Sequence, residues 1–102
     1  MPSSRLAMTE AQLQAAVIKL CKLYGLRYHH QKISIGSIAG WPDLVIVGRQ
    51  LIFRELKSET GKVTGQQVEW RDVLGRAGQD WALWRPSDLA SGRIVRELEV
   101  IR

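Results

Sequence analysis

Three residues in the middle of the chain are of the types used in phosphate chemistry. Asp43 follows a Gly40-Trp41-Pro42 loop and opens an apolar run, Leu44 to Val47, closed by Gly48. The proline stiffens the backbone just ahead of the carboxylate. Twelve residues on, Glu55 and Lys57 stand two apart in a second strand-forming run. Side chains alternate along a strand, so these two project from one face. Gly48-Arg49-Gln50 makes a tight turn between the runs, and the two arms are equally long. An antiparallel register therefore exists that sets Asp43 beside Glu55 and Lys57. Two carboxylates at one end of a sheet suit a hard divalent cation such as Mg²⁺, which takes one or two carboxylates and keeps several waters. Such an ion polarises a phosphoryl oxygen, and a neighbouring lysine positions water or offsets developing negative charge. The chemistry is phosphodiester hydrolysis. Singly, each residue has an ordinary use: Asp43 as a turn residue, Glu55 and Lys57 as a solvated ion pair. Their combination and order favour the metal site.

The elements that must position these residues are legible in outline. Residues 1–8 read as a tail and 9–102 as one domain. Thr9 and Gln12 form a capping box that opens a helix over 9–24, with Leu13, Val17, Leu20 and Leu23 on one face and Gly25 closing it. Leu26 to Ser34, with Tyr28 and Ile33, reads as a strand. Ile35 is counted with the strand residues, and Gly36, Ser37, Gly40 and Pro42 mark an irregular connection. Asp43–Gly48 reads as a strand covered on both faces, and Leu51–Lys57 as its hairpin partner in the middle of the sheet. Thr64 and Gln67 repeat the capping-box pattern before a helix with Val68, Val73, Leu74 and Ala77 as its apolar stripe, ending at Gly78. Trp81–Arg85 reads as a strand and Pro86-Ser87-Asp88 as a turn. Ile94, Val95, Leu98 and Ile101 favour a closing helix, with a strand as the alternative. The order predicts an α/β fold with a mixed four-stranded sheet flanked by helices.

Composition narrows the partners. Fifteen Lys and Arg against ten Asp and Glu leave a net charge of +5. A basic surface of this kind suits polyanions, nucleic acid first. The single cysteine, Cys21, excludes an internal disulfide framework and a Cys-rich zinc site, and its spacing from Val17 and Tyr24 makes it a buried thiol. No apolar run approaches the roughly 20 residues of a membrane span, and the N-terminus lacks a hydrophobic signal core, so a cytoplasmic protein is expected. His29 and His30 lack ligand partners at zinc spacing and read as strand histidines on opposite faces.

Beyond the residues taken one by one, the chain resembles the VRR-NUC family of the PD-(D/E)XK nuclease superfamily over about residues 9–88. The matching pieces are Thr9-Glu10-Ala11-Gln12, Gly40-Trp41-Pro42-Asp43-Leu44, Glu55-Leu56-Lys57, and the run from Gly61 to Trp70 containing Gln67. The resemblance is to the small stand-alone members found in phages and bacteria. It implies a restriction-endonuclease-like core and a Mg²⁺- or Mn²⁺-dependent nuclease. Asp43, Glu55 and the backbone carbonyl of Leu56 would hold the metal. Lys57 would orient the attacking water, Gln67 would assist, and Glu10 would reach the metal through water. It also implies similarity in fold to Holliday junction resolvases and a homodimer. Substrates within the family range from branched DNA to flaps, and branched or otherwise structured DNA is the expected substrate here, while a partner nuclease or helicase belongs to a reading as an accessory subunit.

Several roles stay open on the sequence. Gln67 at the third helical position either completes the capping box with Thr64 or serves the active site, and one side-chain conformation is expected to fill only one of these roles. Glu10 in a first helical turn is also favoured there by the helix dipole. Lys32, Trp41, Arg49 and Lys62 are the candidate nucleic-acid contacts. Trp41 is singled out because its loop precedes Asp43, and Arg27, Arg54, Arg71 and Arg76 extend the basic set. The alternative to a nuclease is a DNA-binding module or accessory subunit that keeps the nuclease fold as a scaffold.

Overall fold

The computed structural model describes residues 7–31 and 38–102. Helix α1 spans Glu10–Leu23. The Thr9 hydroxyl accepts from the Gln12 N–H at 3.1 Å, and the Gln12 side chain accepts from the Thr9 N–H at 2.9 Å, which is the expected capping box. Strands β1 (Arg27–His30), β2 (Leu44–Val47) and β3 (Leu51–Leu56) follow, each antiparallel to the last. Helix α2 (Gly65–Arg76) crosses to β4 (Asp80–Trp84), which lies parallel to β3. Two helices close the chain, α3 (Pro86–Ala90) and α4 (Arg93–Ile101). The sheet order is β1-β2-β3-β4, so the hairpin occupies the middle of a mixed sheet in an α/β fold, as the sequence predicts.

One sheet face carries Leu44, Ile46, Ile52, Leu56 and Trp84. It packs against Leu13, Val17 and Cys21 of α1 and Ile94, Leu98 and Ile101 of α4. These side chains are at most 2% exposed, so this is the hydrophobic core. Arg54 lies on the same face by strand parity and is only 3% exposed. Its guanidinium donates to Glu97 at 2.8 Å, to Asp80 Oδ1 at 2.9 Å and to the Phe53 carbonyl at 2.9 Å. The Glu97 carboxylate also accepts from the Trp84 indole at 3.0 Å and from Arg93 at 2.6 Å. Burial alone would raise the Glu97 pKa, but the hydrogen bonds from Arg93 and Arg54 hold it below the usual value. Arg54 is thus a buried strut between the sheet and α4, and it is removed from the expected basic contact set.

Four expectations need correction. The first strand is shorter than the predicted 26–34; Gln31 follows it as non-strand backbone, and residues 32–34 lie outside the described residues, as does the tail up to residue 6. Pro86-Ser87-Asp88 is the first turn of α3, because proline at the start of a helix gives up no needed N–H. β2 is fully covered on one face only: Leu44 and Ile46 are buried, while on the other face Val45 is half-buried and Val47 is 44% exposed. Helix α2 packs over β4 and leaves that part of the face open. The apolar stripe of α2 holds only in part: Val68 is half-buried and Leu74 buried, but Val73 and Ala77 are exposed. The inward set also includes Gln67 and Trp70, and Gln67 is polar.

Candidate metal centre

The register of the central hairpin pairs Leu44 with Arg54, which places Asp43 directly across from Glu55. Both project from the face opposite the core, toward α2. Asp43 stands one residue before β2, so the backbone ladder ends beside it. Its carboxylate Oδ2 takes over by accepting from the Leu56 N–H at 2.8 Å. The Asp43 carbonyl accepts from the Gln31 N–H at 3.1 Å on the other side. The carboxylate is therefore fixed by the two strands that flank it.

The loop ahead of Asp43 is seated on α2. Gly40 has φ +82° and sits so close to the first turn of α2 that a Cβ there would overlap the Gln66 carbonyl. Only glycine meets both demands. The Trp70 indole donates to the Ala39 carbonyl at 3.1 Å. The Trp41 ring packs edge-on to Trp70 and Phe53, with centroids 4.9 and 5.9 Å away. Trp41 is thus a half-buried prop under the Asp43 loop, a structural occupation beyond the substrate contact considered from sequence.

Glu55 is 1% exposed. Its Oε2 accepts from the Gln67 side-chain amide at 2.7 Å, while Oε1 is buried and meets no donor group among the described residues. Gln67 also completes the capping box of α2. Its Oε1 accepts from the Thr64 N–H at 2.8 Å, and its own N–H donates to the Thr64 hydroxyl at 3.2 Å. The expectation that one conformation serves only one role is wrong. A primary amide has an acceptor at one end and donors at the other, so the oxygen caps the helix while the nitrogen holds Glu55.

Glu10, at the start of α1, completes the group. One carboxylate oxygen each from Glu10, Asp43 and Glu55 lies within 4.8 Å of the others. Burial, then the hydrogen bond and negative charge of Asp43, push the Glu55 carboxyl up to about 9, with Lys57 acting in the opposite sense. Burial and the charge of Asp43 likewise raise Glu10. Three carboxyl groups meet at a buried Glu55 oxygen that no donor reaches, with one lysine as counterion, so in metal-free protein Glu55 keeps its proton, which a bound cation would displace. These residues can hold a metal ion, and hard oxygen donors suit a divalent one.

Lys57 follows β3, and its N–H donates to the Trp84 carbonyl at 3.1 Å. Its charge acts on both Glu55 and Glu10. The structure thus brings Glu10, Asp43, Glu55, Lys57 and Gln67 together, with the Leu56 backbone between them. Of the expected nucleic-acid contacts, Lys62 is exposed on the loop that follows Lys57. Arg49 lies at the far hairpin turn, where its guanidinium donates to the Val100 carbonyl at 3.0 Å and its N–H bonds to Ile101 at the end of α4. Lys32 lies outside the described residues. His29 is exposed and His30 half-buried on opposite faces, and neither joins the acidic group. One residue escaped the sequence reading: Arg85, described below, carries no spacing signal at all, whereas Gly40 belonged to the matching motif but its seat against α2 was not legible.

Comparison with protein-family models, curated proteins and solved structures found no match to the chain.

Proposed function

We propose that the protein is a divalent-metal-dependent DNA endonuclease that hydrolyses phosphodiester bonds. The observation that carries this reading is the convergence of Glu10, Asp43 and Glu55 around a buried Glu55 oxygen that no donor reaches, with the charge of Lys57 acting on it. Asp43 and Glu55 would hold Mg²⁺ or Mn²⁺, with the Leu56 carbonyl as a further ligand and Glu10 reaching the ion through water, as the resemblance implies. When bound, the ion supplies Lewis-acid charge beside the scissile phosphate. The protein's own groups do the rest. Leu56 N–H fixes the Asp43 carboxylate, and Gln67 fixes that of Glu55. Lys57 holds the attacking water in line and offsets charge as it grows on the phosphate. The net charge of +5 supports a polyanionic substrate. Branched or structured DNA as substrate and a homodimer are proposed on the sequence resemblance, and a partner nuclease or helicase belongs to the accessory-subunit alternative. No helix among the described residues is long and apolar enough to cross a membrane.

The test uses labelled linear duplex, flap, single-stranded and four-way-junction DNA, each with Mg²⁺, Mn²⁺ or EDTA. Cleavage is expected only with metal. Asp43→Ala, Glu55→Ala and Lys57→Ala should each abolish it with an unchanged circular dichroism spectrum. Full activity in any of these variants removes that residue from the mechanism. DNA binding without cleavage on every substrate replaces the nuclease by the scaffold or accessory-subunit alternative. Sedimentation at micromolar concentration tests the dimer.

A further inference from the structure

The loop that joins β3 to α2, residues 58–63, connects Lys57 at one end to the cap of the helix bearing Gln67 at the other. It is gripped from outside by Arg85, the residue after β4. One guanidinium nitrogen of Arg85 lies 2.7 Å from the Ser58 carbonyl, 3.2 Å from that of Glu59 and 2.8 Å from that of Gly61. The Glu59 carboxylate returns the grip by accepting from the Ser87 N–H at 2.9 Å. Inside the loop, the Gly61 N–H donates to the Ser58 carbonyl at 3.2 Å. Gly61 also lies against the Lys57 stem, so a Cβ there would stand 3.5 Å from the Lys57 Cβ and Cδ.

Three carbonyl dipoles aimed at one point repel one another unless a cation sits between them. Without Arg85 these half-buried acceptors must turn outward to find water, and the loop must open to let them. Its first residue is bonded to Lys57, and its end leads into Thr64, whose N–H is held by Gln67. Opening therefore moves both side chains that bear on Glu55. We propose that Arg85 is a positioning residue: its charge folds the 58–63 loop so that Lys57 and Gln67 are both set against Glu55. The consequence for rate rests on the nuclease reading, whereas the consequence for geometry does not.

The experiment compares wild type with Arg85→Met, Arg85→Lys and the core variant Ile94→Val, which lies in α4 away from the loop. Three readouts are taken on each metal-loaded protein: the NMR resonance of the Gln67 side-chain amide, hydrogen exchange of amides 58–64, and single-turnover cleavage alongside duplex affinity. Arg85→Met is expected to shift the Gln67 resonance and to speed loop exchange by about tenfold or more. It should slow cleavage by up to about 100-fold while duplex affinity changes little. Arg85→Lys, which keeps a cation, should recover part of each. Ile94→Val should lower the melting temperature without these local changes. An unshifted Gln67 resonance and unchanged loop exchange in Arg85→Met overturn the proposal, as does Ile94→Val reproducing the same pattern. If wild type cleaves nothing, the nuclease reading falls, and the resonance and exchange data still decide the clamp.

Discussion

Metal-free protein should lose stability as pH rises through neutrality, and Glu55 should be the cause. Its carboxyl is 1% exposed and lies beside two other carboxylates, and its pKa is raised from 4.5 to about 9. In the unfolded chain the same group ionises near its ordinary value. Between these limits the folded state binds the extra proton, so raising pH favours unfolding, opposite to the usual behaviour of a paired carboxylate. Each pH unit within the window costs about 1.4 kcal/mol, so moving from pH 5.5 to 7.5 in EDTA should remove about 3 kcal/mol. That is a large share of the stability of a small domain. Urea unfolding at intermediate pH values measures it directly. Glu55→Gln should flatten the dependence, because an amide keeps the shape but does not titrate. Saturating Mn²⁺ should also flatten it, by favouring the ionised carboxylate in the folded state and adding about 2.7 kcal/mol at 100 times its dissociation constant. A wild-type stability that stays level across this range in EDTA, or a Glu55→Gln protein with the wild-type slope, would refute the argument that burial and Asp43 hold a proton on Glu55.

Other perturbations test the supports of the site. Gln67→Ala removes a helix cap and the hydrogen bond to Glu55 together, so in EDTA it should cost about 2 kcal/mol by urea unfolding, against about 1 kcal/mol for Thr64→Ala. Equal losses would argue against the double role of the Gln67 amide. Gly40→Ala should cost more than about 2 kcal/mol in thermal denaturation, combining a left-handed backbone with overlap onto the Gln66 carbonyl. Wild-type stability there would mean the loop is not seated on α2. Arg54→Met removes the charged hydrogen bonds to Glu97 and Asp80, while Glu97 keeps Arg93, and should cost about 1.5–3 kcal/mol, read from the urea midpoint.

Much of the architecture was legible because it is written in local patterns. Both capping boxes, the helical spacing of Leu13 and Val17, and the hairpin at Gly48-Arg49 each depend on residues a few positions apart. The pairing of Asp43 with Glu55 was also accessible, because equal arms around a tight turn fix a register. The stripe of α2 was not, since an inward-facing glutamine looks polar until its partner on β3 is known. Arg54 and Arg85 were opaque for the same reason. Their acceptors lie on β4, α4 and the 58–63 loop, between 24 and 43 residues away apart from the adjacent Phe53 carbonyl. By itself, then, the sequence determined which acidic residues come together and which strands present them, through alternation and short-range turn geometry. The tertiary structure alone decided which charges are buried, how one amide serves a helix cap and a carboxylate at once, and what holds Lys57 in place, because each depends on atoms that meet only when distant segments pack.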